Sequence, residues 1–492
     1  MFLHRPAPAP LACALAALLL TACASTPHDQ AYRAPEIALP AAFAHARPDA
    51  RPDAPGAPAA PAAATAPIAP DWWWNAYADA DLDRLLRQVG QANAELAQAE
   101  ARWRQALALV DAARALDRPQ LGASAAATRS GASRSGNRGS SGNSTNGTTG
   151  TQFSTGLTLA WTPDLWGRIA QQRSAAEAGA EAQAALLDAA RLALQLSAAQ
   201  GYVRLRALDA QLALQAEAET AYLRSLELTR AQYEAGLVAR ADVIQAETQL
   251  QSLRTQVFAI GRQRALQANA LALLAGSTPA ELRIAARAPQ AADALPAMPA
   301  VPDALPAELL RRRPDLAAAE RQLAAAHAQW GVAQRAWLPD LTLSASGSLQ
   351  AGSLAILLDA PARVWSLGPA LAGTLFDGGT RRAAEAQALA VYEAPAAAWR
   401  AAVLVAVRET EDALAQLATL SDQEREQQRL VALAAENEQV VGYRYGAGEI
   451  SFLEVATAQN LALTARRALL DVQSERLAAS MALVAALGGG WQ

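Results

Sequence analysis

The chain repeats itself, and the repeat limits what it can fold into more than any other feature. Glu95-Leu-Ala-Gln-Ala-Glu100 returns as Asp315-Leu-Ala-Ala-Ala-Glu320, and Pro119-Gln-Leu-Gly-Ala-Ser124 as Pro339-Asp-Leu-Thr-Leu-Ser344, both 220 residues later. Further on, Leu159-Ala-Trp-Thr162 matches Leu371-Ala-Gly-Thr374, and Tyr233-Glu-Ala-Gly236 matches Tyr445-Gly-Ala-Gly448, now 212 residues apart. Self-similarity at a fixed offset marks an architecture built by duplication. We set the copies at 71–300 and 301–492. The drop of eight in the offset requires a longer insertion in the first copy between Ala125 and Leu159, and the Ser/Gly/Asn/Thr tract from Arg129 to Gln152 is the candidate. Such a tract cannot fill a core and reads as a surface loop.

Each copy reads as helix, strand, loop, strand, very long helix, turn, helix. Strands are expected at about 121–130, 153–162, 341–350 and 364–376. Leu341, Leu343, Ala345 and Leu349 alternate with Thr342, Ser344, Ser346 and Ser348, which gives one apolar and one polar face. This is the pattern of a transmembrane barrel strand, and also of a soluble half-buried sheet. Trp161, Trp166, Trp337 and Trp365 near the strand ends suit either an interface girdle or simple packing. From Asp164 to Thr278 there is no proline, so one helix is expected from about Asp164 to Glu234, ~105 Å long at about 1.5 Å per residue. Tyr202, Leu205, Leu208 and Leu212 keep a three/four spacing along it, among Ala, Gln, Glu and Arg, as in a coiled coil packed through small side chains.

The N-terminus carries Arg5 and then the apolar run from Leu11 to Leu20, which suits a secretory signal and is too short to span a bilayer. Leu20-Thr21-Ala22-Cys23 looks like a bacterial lipobox, so a signal peptide at 1–22 and lipidation of Cys23 are expected, with plain cleavage near Ala22 as the alternative. Residues 23–70, rich in Pro and Ala, read as an extended tether, with structure beginning at Asp71. No later run of about 18 consecutive apolar residues is found, so any membrane span is expected to be β-barrel.

An enzyme is not expected. His4 leaves with the signal, His28 and His45 lie in the tether, and His327 stands alone on a helix; no metal-ligand spacing or phosphate-cradling loop is present. No cofactor is expected, and a net charge of −4, with every basic residue an arginine, gives no basic surface for nucleic acid.

Several short motifs run in order over nearly the whole mature chain. They include Tyr32-Arg-Ala-Pro35, Trp74 with Leu82 and Leu85, Asp164-Leu-Trp-Gly-Arg168, Leu309-Leu-Arg-Arg-Arg-Pro-Asp-Leu316, Phe376-Asp-Gly-Gly379, Glu409-Thr-Glu-Asp-Ala-Leu414 and Leu487-Gly-Gly-Gly-Trp491. Together with the lipobox they resemble the outer-membrane efflux factor family, the TolC-like channels, in its lipoprotein branch. The resemblance implies a mixed α and β membrane protein. Its homotrimer would form a 12-stranded transmembrane β-barrel, four strands per chain, continued by a periplasmic α-helical barrel. It implies a passive exit duct for drugs or other small toxic compounds, working with a periplasmic membrane-fusion adaptor and an inner-membrane pump of the RND type, in outer-membrane lipid. An outlet for type I protein secretion and a lipid-anchored coiled-coil spacer remain as alternatives.

The two turns between the long helices, Tyr233 to Val243 and Tyr445 to Val455, are the expected adaptor-docking tip. Tyr233, Gly236, Val238, Arg240, Tyr445, Gly448, Ile450 and Phe452 are its candidate residues, against the plainer reading of good hairpin caps. Arg444 is the gate candidate by resemblance. The loop between Leu349 and Leu371, with Leu354, Ile356 and Leu357, is expected to fold inward over the mouth.

Overall fold

The computed structural model describes residues 32–34, 43–45, 70–131, 149–287, 295–300, 307–357 and 363–489. The helices are α1 (Ala80–Ala92), α2 (Ala94–Ala115), α3 (Arg168–Glu234), α4 (Arg240–Leu274), α5 (Pro314–Arg335), α6 (Thr380–Gly446) and α7 (Phe452–Ala486). The strands are β1 (Gln120–Gly131), β2 (Thr149–Trp161), β3 (Asp340–Ala351) and β4 (Arg363–Ala372). Element boundaries carry the duplication: α3 and α6 are each 67 residues and start 212 apart, and α4 and α7 are each 35 residues and also start 212 apart.

Two compact units divide the chain, and each draws on both repeats: 1–35, 105–181 and 320–397 form the first, and 36–104, 182–319 and 398–492 the second. The first unit holds the sheet, ordered β1-β2-β3-β4 with every neighbouring pair antiparallel. Its register decides the chemistry of the two faces. Leu121 pairs with Leu159, Leu159 with Ala345, and Ala345 with Leu367, while Leu341 pairs with Leu371 and Gly347 with Trp365. Directly paired residues share a face, so these apolar side chains all lie on one side. On the other lie Ser124, Thr158, Ser344, Ser346, Ser348 and Ser366. A slip of one residue in any pairing would mix the two sets. Among the described residues both outer strands, β1 and β4, have one unpaired edge.

At the end of the sheet where β1 and β3 begin, indole N–H groups close the turns. Trp161 donates to the Asp117 carbonyl at 3.0 Å, and Trp166 to that of Pro339 at 2.7 Å. These two tryptophans pack into the turns, whereas Trp365 is 79% exposed on the apolar face.

In the second unit the core gathers around Trp73, Trp74 and Tyr77, which meet edge-to-face, together with Leu82, Tyr202, Leu271 and Met481. Of the three/four-spaced side chains on α3, Tyr202, Leu205 and Leu208 are buried and Leu212 is half-buried. A buried ionic network crosses this core. Arg206, 2% exposed, pairs with Asp209 at 2.9 Å and donates to the Ala285 carbonyl; Arg264 pairs with Asp209 at 2.5 Å, and Arg287 with Asp79 at 2.7 Å. Tyr202 donates to Asp79, and its burial pushes the phenol up to about 12. Burial of Asp79 opposes its ionisation, but the Leu82 amide and the Arg287 guanidinium hold its carboxyl below the usual range.

Several boundaries differ from the sequence reading, each for a local reason. The long helix begins at Arg168 rather than Asp164, because Gly167 takes the left-handed conformation (φ 74) and the Asp164 carboxylate caps the Ala170 amide at 2.7 Å. β4 stops at Ala372 rather than 376, because its partner Asp340 follows Pro339, which has no N–H to extend the ladder. The insert expected at 129–152 is narrower, since Arg129–Gly131 pair with Thr149–Thr151; residues 132–148 lie outside the described residues. Leu357 does not turn toward the polar face; it packs with Phe153, Leu349 and Ala351 on the apolar one.

The tether is not free throughout. Tyr32 donates to the Glu320 carbonyl at 3.3 Å and packs beside His327, which also meets the Trp330 and Tyr392 rings. Phe43 is buried in the second unit's core, and Glu411 accepts from the amides of Ala44 and His45 at 2.6 and 3.0 Å. Cys23 and the rest of 1–31 lie outside the described residues. One helix, α6, holds a stretch apolar enough by composition to cross a bilayer, since alanines and valines within 390–407 outweigh Glu393 and Arg400.

Gly276 ends α4 with φ 65, and a Cβ there would lie 2.0 Å from the Ala92 carbonyl oxygen. Gly276→Ala is therefore expected to cost more than ~2 kcal/mol, adding a backbone clash to the penalty for the left-handed region. Gly236→Ala meets open space and should cost only ~1 kcal/mol. Melting temperatures of the two purified variants would check the order.

Candidate functional site: the paired helical turns

The turns expected to form the docking tip are built alike. At the end of α3 the Gly236 amide donates to the Tyr233 carbonyl and that of Leu237 to Gln232, both at 2.9 Å. At the end of α6, Gly448 donates to Tyr445 at 2.9 Å and Glu449 to Arg444 at 3.0 Å. Gly236 and Gly448 have φ of 76 and 79, where a Cβ would be strained. These are Schellman caps, which satisfy carbonyls the helix ends would otherwise leave open. The returning helices begin at once. Asp242 accepts from the Ala239 amide at 3.2 Å in the first turn of α4, and Glu454 occupies the corresponding place in α7.

The two hairpins meet in one small core. Tyr445 (3% exposed) and Phe452 (1%) stand edge-to-face at 5.7 Å and pack with Tyr222, Leu226, Leu250 and Val455. Thr229 donates to the Ser225 carbonyl at 2.8 Å, so the 2.9 Å bond to Tyr445 is donated by the phenol. Burial raises the Tyr445 hydroxyl above its ordinary range. Gln249 donates to Gln459 at 3.2 Å and Gln459 to Ser225 at 2.9 Å, a second polar tie across the hairpins.

Two of the expected docking residues are therefore not available as a surface. Tyr445 and Phe452 are core, because the second turn folds its aromatic pair into the groove left by the first. Val238 and Ile450 are half-buried, Ile450 against that same cluster, and Arg240 is exposed. The duplication is broken here: Tyr233, at the place of Tyr445, is exposed, and Arg240 stands where the second copy has Phe452. The open apolar side chains are Leu237, at 75% exposure, with Ile244, Tyr443 and Leu453. Sequence reasoning missed Ile244, Tyr443 and Leu453, and helical spacing from the buried Tyr445 and Val455 would have exposed Tyr443 and Leu453. Arg444 is half-exposed and pairs with Glu449 at 3.2 Å, so the gate candidate carries its own counter-charge.

The chain combines a four-stranded, two-faced antiparallel sheet with two helical hairpins, each of a 67- and a 35-residue helix, that share one small core at their turns. The outer membrane efflux protein family model matches residues 85–277 and 305–489, and the chain belongs to that family. It is similar to the pyoverdine export outer membrane protein OpmQ of Pseudomonas aeruginosa, at 33% identity over 85% of this chain and 87% of that one. The toluene efflux pump outer membrane protein TtgI of Pseudomonas putida is 32% identical over 69% and 72%. Among solved structures, the outer-membrane channel OprN superposes with a TM-score of 0.80 at 28% identity, covering 94% of this chain and 98% of that one. The protein is an outer-membrane efflux component of TolC-like fold.

Proposed function

We propose that three copies close their sheets into one twelve-stranded barrel and join their long helices into a periplasmic duct. This duct would carry small toxic compounds delivered by an inner-membrane pump of the RND type through a membrane-fusion adaptor. The observation that carries this reading is the register, which gathers the apolar side chains on one face of a sheet whose two edges are unpaired. In lipid each unpaired backbone group costs several kcal/mol, so four strands cannot span alone, and closure with other copies removes every edge. The apolar face then meets lipid, and the Ser/Thr face lines the lumen. Relatives named for pyoverdine export and toluene efflux favour a small-molecule duct over an outlet for secreted proteins. A coiled-coil spacer would have no use for such a sheet, and no catalytic role is needed. Expression in cells lacking their own outer channel, together with the matching adaptor and pump, should restore export. Full accumulation of the toxic compound despite assembled trimer would oppose the reading.

Cys23 is the lipidation site in this proposal. The chain contains no lysine, so in a mature protein starting at Cys23 the only amine is the α-amino group of that residue. The wild type should incorporate labelled palmitate, and the Cys23→Ser precursor should not. Undiminished labelling in the variant would put the lipid elsewhere.

Arg444 is the gate residue in this proposal. Three symmetry-related guanidinium groups would narrow and charge the duct where the helices converge. Arg444→Ala should raise single-channel conductance without changing Tm, since the exposed pair with Glu449 contributes no more than ~1 kcal/mol. Unchanged conductance would remove Arg444 from the gate.

A further inference from the structure

Two arginines hold matching places on the two open edges of the sheet. Arg129 lies near the end of β1 and pairs with Thr151; Arg363 is the first residue of β4 and pairs with Leu349. Both therefore sit at the end of the sheet away from the long helices' first turns, next in sequence to residues 132–148 and to residues 358–362 with Asp359, which lie outside the described residues. Strand alternation puts both on the apolar face, Arg129 with Leu121 and Arg363 with Leu367. Both are exposed, and among the described residues neither has a hydrogen-bond or ion-pair partner.

The opposite end of the sheet is arranged differently. There Arg168 pairs with Asp340 at 2.7 Å, Arg173 with Asp117 at 3.1 Å, and Arg381 with Asp377 at 2.7 Å. No Asp or Glu occurs anywhere from Arg118 to Pro163, so the first hairpin has nothing of its own to neutralise Arg129. Two residues inward from Arg363 on the same face stands the exposed indole of Trp365. A tryptophan in the apolar band with a guanidinium one step nearer the rim is the arrangement that anchors a strand at a lipid–water boundary. A guanidinium with no ion-pair partner among the described residues presents there a planar fork that fits a phosphate oxygen pair.

We propose that Arg129 of one copy and Arg363 of the next form a clamp for a phosphate-bearing lipid head group of the outer leaflet. One such clamp would stand at each of the three seams of the barrel. This rests on the trimeric reading above, because only ring closure sets β1 of one copy beside β4 of another. The lipid chains would lie along the apolar band, and the phosphate oxygens would accept from the two guanidinium groups.

Native mass spectrometry of the full-length trimer in detergent tests the clamp, with a bis-phosphorylated glycolipid, its dephosphorylated counterpart and inorganic phosphate as probes. The wild type should retain the phosphorylated glycolipid, up to one per seam. Arg129→Gln/Arg363→Gln should bind it at least about tenfold more weakly, the effect of losing one or two charge-assisted contacts. Arg118→Gln, at the opposite end of the sheet, should match the wild type. Equal retention by the double variant, or equal binding of the dephosphorylated lipid, would overturn the clamp while leaving a trimer in the spectrum. Equal retention of inorganic phosphate, an adventitious ion only, would do the same. A monomeric mass would overturn the barrel reading and the clamp with it.

Discussion

Leu237→Asp is expected to abolish export while leaving a folded trimer of wild-type melting temperature. Leu237 follows the left-handed Gly236, and only its backbone amide takes part in the cap, donating to Gln232. Its side chain is 75% exposed and belongs to no core, so the substitution keeps the cap and changes the surface alone. A surface change of this kind usually shifts stability by no more than about 0.5 kcal/mol. If the turn docks the adaptor, however, an apolar anchor becomes a charge at the centre of an interface. Losing such an anchor costs ~2 kcal/mol or more, roughly a thirtyfold fall in affinity. Toxic-compound resistance should drop to that of cells without the channel, and crosslinking to the adaptor should be lost. Wild-type export with both Leu237→Asp and Leu453→Asp in place would sink the docking role.

Phe452→Ala should act by the opposite route, destabilising the hairpin core first and export only as a consequence. The ring is 1% exposed and packed edge-on against Tyr445, and truncating a fully buried phenylalanine costs ~3–5 kcal/mol. Tyr445→Phe should cost only about 1 kcal/mol, because Thr229 keeps its bond to the Ser225 carbonyl when the phenol is gone. Thermal unfolding of the purified trimer, followed by circular dichroism, would separate the two. A Phe452→Ala trimer that melts like the wild type yet fails to bind the adaptor would return Phe452 to the docking surface.

These two side chains mark how far the sequence could be read. Both turns were legible because a left-handed glycine leaves a fixed signature: Gly236 and Gly448 recur in register with a tyrosine three residues earlier. What the repeat hides is that the copies pack against each other. At this pair of positions Tyr445 is buried and Tyr233 exposed, and a one-dimensional alignment carries no trace of that difference. The strands behaved likewise. Alternation along Leu341–Leu349 defined two faces, but only the pairing of four strands brought all the apolar sets to one side. The buried network of Arg206, Asp209, Arg264 and Arg287 was missed because its partners come from distant elements. Its one local trace is the Arg206–Asp209 pair, i and i+3 within a run that is otherwise apolar. The docking of Tyr32 and Phe43 was hidden by the Pro/Ala-rich segments around them, whose composition outweighed two aromatic anchors.

The most direct test of a closed, conducting barrel is electrical. Purified trimer reconstituted into a planar bilayer should insert in discrete steps, each raising the conductance by a fixed increment set by one lumen. Folded trimer that enters the same bilayer and never conducts would contradict the channel and leave a helical spacer as the function of this chain.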